Sequence, residues 1–349
     1  MSKKKILIIR LSALGDVIFN LPLANILKKN NYHVSWLTSE KGFDILNNNP
    51  LVDEVILAPI EKWKKQIFFK NLLEYIKIIK YLQSQKFDIA IDTQLLLKSA
   101  IWTMFCGAKR RIVSKSAREF AHLAGNEIIE NLAYDYNTHA TVRYLKFAEH
   151  LGLNTDEIKV KLPLSKNETI IKVQGLLKNI DKTKPIITIA PATTWDTKHW
   201  DKNNWKNLVQ ELAKDYTLIF TGVQKDKELI EYISKGKFLN LAGKTSLLEL
   251  IELFRQSNLV ISLDSGSTHL AWASENPKII SIFCSTPKEY YAPIGDSSKY
   301  IAISGNLNCQ PCHGKRCKLL CDKNKCTKTP SVEEVLTCIK KLLPVKEEV

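Results

Sequence analysis

No run of about 18 apolar residues, the length a helix needs to cross a bilayer, occurs in these 349 residues. Arg10 and Asp16 interrupt the first apolar run and Lys77 and Lys80 the next, which excludes a bundle embedded in a membrane. The basic N-terminus lacks a small-residue cleavage site, so it reads as a strand rather than a signal peptide, and a cytoplasmic chain is expected. Other absences narrow the chemistry. There is no His-Glu-x-x-His pair and no Gly-x-Ser-x-Gly elbow. The position five before Gly243-Lys244-Thr245 is Phe238, where a P-loop needs glycine. Hydrolase and kinase readings thereby lose their main support. Negative charge is scarce as well: 36 Asp+Glu stand against 51 Lys+Arg, a surplus of +15. That balance predicts an anionic partner, whether nucleic acid, an acidic membrane surface or a phosphorylated substrate.

What remains is an ordinary globular composition, 45% hydrophobic and 25% charged, with room for two cores and no internal repeat. Short Ile- and Val-rich runs alternate with longer amphipathic segments, the pattern of α/β units on a parallel sheet buried on both faces. Strands are expected at Lys5 to Ile9, Val34 to Leu37, Glu54 to Leu57 and Asp88 to Ile91. A second series follows at Pro185 to Ala190, Thr217 to Thr221, Leu259 to Leu263 and Lys278 to Phe283. Helical patterns include Val17 to Lys28 and Phe69 to Gln83 in the first series. In the second they cover Lys202 to Lys214, Lys225 to Ser234, Ser246 to Arg255 and Ser267 to Ser274. Between the series, the Lys-rich stretch from Leu162 to Pro185 reads as a crossing. The expectation is two doubly wound α/β domains, 1–165 and 166–349, facing a central cleft, with a last helix from Val332 to Leu343 free to pack on either.

Three loops at strand ends carry candidate chemistry. Leu11-Ser12-Ala13-Leu14-Gly15-Asp16 follows the first strand; its single glycine rules out the dinucleotide fingerprint. Asp16 has two possible roles there, complementing the helix dipole or taking a proton from a substrate hydroxyl at a cleft edge. The loop from Pro191 to Trp200 offers Thr193, Thr194 and Lys198, hydroxyls and an ammonium suited to a diphosphate; its plain alternative is to cap the helix near Asp201. Asp264-Ser265-Gly266-Ser267-Thr268-His269 sets a glycine at a helix start, where free amides attract an anion, or else a capping box.

Two further features are open. Cys309, Cys312, Cys317, Cys321 and Cys326 crowd beside His313 with zinc-type ligands, but the later spacings match no paired Cys-x-x-Cys ribbon, so a reduced, partly buried thiol loop competes with a zinc site. In a reducing compartment the eight cysteines argue against a disulfide framework. The segment Lys62-Trp63-Lys64-Lys65-Gln66-Ile67-Phe68-Phe69-Lys70 interleaves lysines with aromatics. It suits a lipid interface, a single-stranded nucleic acid, or a plain helix entry with its rings tucked inward.

Taken in order, seven segments resemble the ADP-heptose:lipopolysaccharide heptosyltransferases, inverting enzymes of the two-domain GT-B architecture. They are Arg10 to Asp16, Asn49 to Val55, Asp92 to Ala100, Ser116 to Glu119, Thr193 to Trp200, Leu241 to Ser246 and Asp264 to His269. The resemblance spans nearly the whole chain. It implies transfer of L-glycero-D-manno-heptose from ADP-heptose to the lipopolysaccharide inner core, with no cofactor and no nucleic-acid partner, at the anionic cytoplasmic leaflet. The N-terminal domain would take the acceptor and the C-terminal domain the donor. By similarity Asp16 is the catalytic base, assisted by Lys198. Thr193, Thr194, Lys198, Asp226, Asp264, Ser265, Gly266 and His269 face the donor, and Ser12, Gln94, Lys98 and Arg118 the acceptor. The chain departs from the family where a glycine commonly follows the glutamine and Leu95 stands instead. The acceptor-side motifs are similar to the first enzyme of the pathway, which acts on Kdo attached to lipid A, whereas the Cys-rich loop is similar to the second and third. Rival readings from other classes are a nucleic-acid-binding protein with a zinc-bound loop and a nonenzymatic sugar-nucleotide binder.

Overall fold

The structure, a computed structural model, describes residues 3–65, 68–130, 132, 134–305, 307–312 and 325–344. The chain divides into two compact units, Met1–Leu164 and Ser165–Val349. The first holds six parallel strands: β1 (Lys5–Ile9), β2 (His33–Thr38), β3 (Glu54–Leu57), β4 (Ile89–Asp92), β5 (Arg110–Ser114) and β6 (Glu127–Ile129), in the order β3-β2-β1-β4-β5-β6. The second holds β7 (Ile186–Ala190), β8 (Thr217–Phe220), β9 (Leu239–Asn240), β10 (Leu259–Leu263), β11 (Lys278–Phe283) and β12 (Tyr300–Ser304), in the order β12-β11-β10-β7-β8-β9. Counted from its own first strand, each sheet runs 3-2-1-4-5-6, so the order reverses between first and fourth strands in both. Loops leaving the carboxyl ends of those two strands diverge to opposite sides and open a crevice for ligand.

The sequence explains the elements. β1, β4, β7 and β10 are runs of Ile, Leu, Val and Ala buried almost throughout, as a parallel sheet covered on both faces requires. The single helix expected over Val17 to Lys28 is two, Leu14–Phe19 and Leu21–Lys29. Pro22 lacks the N–H that would continue the first helix, and sits instead in the first turn of the second. Helix Leu247–Arg255 starts at a reciprocal cap: Ser246 accepts from the Glu249 amide while Glu249 accepts from the Ser246 amide. Strands β5, β6 and β9 carry too little apolar pattern to be expected; β5 opens on Arg110-Arg111, and β6 and β9 have three and two residues, whereas β12 has the apolar run Tyr300 to Ile303 and is not among the expected strands.

The short helix in the crossing, Asn167–Leu176, belongs to the second unit, where Val173 and Leu177 pack against Ile219, Leu241 and Leu253. The last helix, Val332–Leu342, joins the same unit through Val335, Ile339 and Leu342, which share a core with Trp205, Leu208 and Ile280.

The lysine-aromatic segment is corrected by the structure. Trp63 is buried, stacks on Tyr75 at 4.0 Å between ring centres, and donates its indole N–H to Glu74 at 2.7 Å. Lys62 pairs with the same carboxylate and Lys64 with Glu61. An apolar ring this size gains more from the core shared with Trp102 than from a lipid interface, so Trp63 is the tucked-in aromatic of a helix entry. The side chains of Phe68, Phe69 and Lys70 lie outside the described residues.

Candidate active site

In the first unit the loops after β1 and β4 meet. The Gln94 side-chain carbonyl accepts from the amides of Leu11 and Ser12 at 3.0 and 3.1 Å, tying one loop to the other. Asp92 ends β4 fully buried and accepts from the Gln94 and Leu95 amides and from the Thr103 hydroxyl. Burial pushes its carboxyl above the ordinary value against those hydrogen bonds. The turn so held leaves Leu95 at φ +58°, the left-handed region that favours glycine, which accounts for the glycine common in the family at this place.

Asp16 lies in the first turn of helix Leu14–Phe19, where its charge complements the helix dipole. Its Oδ2 pairs with the Arg10 guanidinium at 2.7 Å and accepts from the Ala13 amide at 3.2 Å. Among the described residues its Oδ1 meets only the Tyr144 hydroxyl, at 3.4 Å. One oxygen is thus anchored and the other keeps lone pairs for a proton. Arg10 is buried; desolvation pulls its pKa down, but Asp16, then Tyr144, outweigh this and hold it above the ordinary value. The guanidinium also donates to the Thr93 carbonyl and lies 5.2 Å from the centre of the Tyr144 ring. Lys98 donates to the Ser12 hydroxyl at 3.0 Å, and burial, followed by the charges of Arg10 and Lys64, draws its pKa below the ordinary value. Ser12, Asp16, Gln94 and Lys98 are therefore one constellation. Arg118 adjoins it through the backbone, its amide on the Leu95 carbonyl at 3.1 Å, with an exposed side chain.

The second unit repeats the layout at the ends of β7 and β10. Lys198 pairs with Asp264 at 2.7 Å, both largely buried, and the same Asp264 oxygen accepts from Thr286 at 2.6 Å. His269 stands 3.9 Å from the other oxygen. Thr193 donates to the Asp264 carbonyl, and the His199 ring meets the Thr193 carbonyl, each at 3.0 Å. Trp195 lies under the ammonium, 4.5 Å from ring centre to Nζ. With its carboxylate engaged by a lysine and a threonine, Asp264 serves to hold Lys198 in place.

The plain cap readings fail here. Asp201 itself caps helix Lys202–Leu212, accepting from the Asn203 and Asn204 amides, so the Thr193–Lys198 hydroxyls and ammonium are not needed for that task. Ser265 precedes helix Gly266–Ala273 without bonding to it, and its buried hydroxyl has no partner among the described residues. The first helix amides, beginning with Gly266, are left for an anion. Thr194 is exposed on the same loop. Asp226 sits apart from this cluster, at the end of neighbouring β8, where it accepts from the Val223 amide at 2.9 Å and closes over Gly222.

Arg10 as the partner of Asp16, Tyr144, and Thr286 as the second partner of Asp264 were not expected as site residues. Arg10 had a local signal, a charge ending an apolar strand; Tyr144 and Thr286 had none, because helix Ala140–His150 and the loop after β11 are brought in by the fold. The cysteines divide. Cys309 and Cys312 are exposed; Cys326 is buried beneath the Thr197 carbonyl, and burial pushes its thiol up. Among the described residues no group of three His, Cys, Asp or Glu side chains is arranged to hold a metal ion, and Cys317 and Cys321 lie outside them.

The chain is 29% identical to lipopolysaccharide heptosyltransferase 1 of Campylobacter coli, over 97% of this chain and 98% of that protein. It is 25% identical to the enzyme of the same name from Pseudomonas aeruginosa, over 90% and 87% of the two chains. Among solved structures it superposes on a family 9 glycosyl transferase from Veillonella parvula with a TM-score of 0.79 at 19% identity, covering 98% of both chains. With the E. coli heptosyltransferase WaaC bound to ADP, the TM-score is 0.75 at 22% identity, covering 97% and 99%. These likenesses establish the fold as two doubly wound α/β units of the GT-B class. Residues 75–322 match the model of glycosyltransferase family 9 (heptosyltransferase), and with that stretch exceeding half its length the chain belongs to this family.

Proposed function

We propose that the chain transfers L-glycero-D-manno-heptose from ADP-heptose to the lipopolysaccharide inner core, with inversion at the anomeric carbon. The observation that carries the reading is the pairing of unlike sites at equivalent sheet positions. A carboxylate with one unanchored oxygen stands at the β1/β4 reversal, and an ammonium beside open helix amides at the β7/β10 reversal. The relatives named lipopolysaccharide heptosyltransferase 1 support the same reaction, and the resemblance of the acceptor-side motifs to the first enzyme of the pathway is the reason to name Kdo linked to lipid A as the acceptor.

On this reading residues 1–165 take the acceptor and 166–349 the donor. Asp16 Oδ1 accepts the proton of the acceptor hydroxyl as its oxygen attacks the anomeric carbon of the heptose. The bond from that carbon to the diphosphate oxygen breaks, and ADP departs with the electron pair. Lys198, the Thr193 and Thr194 hydroxyls and the amides at Gly266 stabilise the charge on the leaving diphosphate; each such donor is commonly worth about 3 kcal/mol. Asp264 and Arg10 act one step back, holding Lys198 and Asp16. Ser12, Lys98 and Arg118 face the carboxylates and phosphates of the acceptor, consistent with the surplus of +15. The described residues contain no helix long and apolar enough to cross a membrane, and peripheral association with the cytoplasmic leaflet is part of the proposal. Because Lys198 and the helix amides already supply the counter-charge, EDTA should leave the rate unchanged; loss of activity restored by magnesium would contradict this.

The test is incubation with ADP-heptose and a panel of truncated lipopolysaccharide acceptors, followed by mass spectrometry. An acceptor ending in Kdo should gain one heptose. Transfer only to heptose-ended acceptors would move the chain to a later step of the pathway, and transfer to none would overturn the proposal.

A further inference from the structure

Helix Leu97–Phe105 buries Ser99, Ala100, Trp102 and Thr103 and leaves four large apolar side chains outside. Where it packs on the short helical turn Ala121–Ala124, the contact is made by small residues: Ala100, Ala121 and Ala124 are buried together, with Ala117 against them. Leu97, Ile101, Met104 and Phe105, spaced at 0, 4, 7 and 8 along the helix, share the face that borders Ala100 and lies opposite the buried Ser99 and Thr103, and they are exposed. The neighbouring turn does the same with Phe120, 78% exposed, and Leu123, 67% exposed. Phe120 and the preceding Glu119 both adopt φ of +57°, a conformation that bulky residues avoid, and the ring gains no burial in return. A soluble surface scatters such residues singly; six from two adjoining elements make a patch that is built to be covered.

Charge identifies the cover. Lys98 and Arg118 flank the patch on the helix and on the turn, while the nearby Glu119 carboxylate is occupied by the Leu97 amide at 3.0 Å. The chain as a whole carries +15, so a second copy would bring like charge to the same place and an anionic lipid surface would not. We propose that Leu97, Ile101, Met104, Phe105, Phe120 and Leu123 form the surface by which this chain docks on an anionic phospholipid leaflet. Large apolar side chains ringed by cations enter the headgroup boundary while the cations meet phosphates. The patch adjoins the acceptor constellation through Lys98, which reaches Ser12, so a lipid-anchored acceptor is presented beside Asp16. The inference rests on the peripheral-membrane part of the proposed function and moves the contact away from Trp63.

The test uses the full chain and vesicles of phosphatidylethanolamine with phosphatidylglycerol, compared with phosphatidylcholine alone. Two double variants, Ile101→Glu with Phe105→Glu and Phe120→Glu with Leu123→Glu, alter only exposed positions; melting temperature and ADP affinity report whether each is folded. The parent should sediment with the anionic vesicles, and each variant should lose about tenfold or more in partition coefficient with both controls unchanged. Transfer to an acceptor embedded in vesicles should fall, and transfer to a delipidated acceptor should not. Folded variants that partition like the parent would overturn the patch alone. A parent that ignores anionic vesicles would overturn the patch and the membrane reading together, and a parent dimer that the variants dissociate would assign the patch to a second copy. Failure of the parent to transfer heptose to any acceptor bears on the reaction and leaves the vesicle result standing.

Discussion

The Lys198–Asp264 pair is where a single substitution acts on both stability and chemistry. Asp264 is 3% exposed, and without the ammonium it is a buried carboxylate left with the Thr286 hydroxyl and the His269 ring. Lys198→Ala is expected to cost about 3–5 kcal/mol of stability as well as ADP affinity, because the surviving charge is left uncompensated. Adding Asp264→Asn should recover most of the stability and none of the ADP affinity, read by thermal melting and by ADP titration; a Lys198→Ala protein as stable as the parent would show that the pair is not formed. The residues of this site that were legible in the sequence are those whose neighbours are local. Asp16 stands six positions after Arg10, on the turn that links a strand to a helix, and the Thr193–Lys198 and Asp264–His269 loops each follow an apolar run. Tyr144 lies 128 positions from Asp16, and no local pattern announces a contact made by the fold. Leu95 falls between: its departure from the family pattern is visible in the sequence, but the positive φ that explains the family's glycine is not.

At the scale of elements, strands built on an apolar run were legible and those that are short or open on charge were not. β1, β10 and β11 have the expected bounds, since an Ile/Leu/Val run buried on two faces has few other readings, and the edge strand β3 has them too through its Val55-Ile56-Leu57 run. β5 and β6 escape because they are joined by charge: Arg110 makes a two-pronged pair with Glu127, donating at 2.8 and 2.7 Å, and His150 approaches the same carboxylate at 2.5 Å. The Arg110 hydrogen bonds, opposed by partial burial and aided by His150, hold the Glu127 pKa at about 2 against an ordinary 4.5. A carboxyl with a lowered folded-state pKa stabilises fully above its unfolded value and loses that contribution as pH falls. The β5–β6 edge should therefore weaken between pH 4.5 and about 2, and Glu127→Gln should flatten the melting-temperature profile in that window while lowering it at neutral pH. An unchanged acid limb in the variant would remove Glu127 from the account. The lysine-aromatic segment misled for a related reason: interleaved Lys and Trp look alike whether the ring faces lipid or core, and Glu74, eleven positions beyond Trp63, decides for the core.

For the whole molecule, each unit carries its own sheet and its own core. Trp205, Ile280 and Val335 close the core of the second unit using residues from Ser165 onward alone. Expressed by itself, Ser165–Val349 should fold cooperatively and bind ADP with an affinity close to that of the full chain, yet transfer nothing; loss of ADP binding in a folded fragment would place donor contacts in the first unit. The proposed division of labour, with the base in one unit and the diphosphate ligands in the other, is tested most directly by Asp16→Asn in the full chain. The amide keeps the shape of the carboxylate and still accepts from the Ala13 amide, but it cannot take the acceptor's proton. With ADP-heptose and a Kdo-ended acceptor, turnover should fall by about 10²- to 10⁴-fold while ADP affinity is unchanged. Near-normal turnover, or equal losses in turnover and ADP affinity, would contradict the assignment of Asp16 as the base.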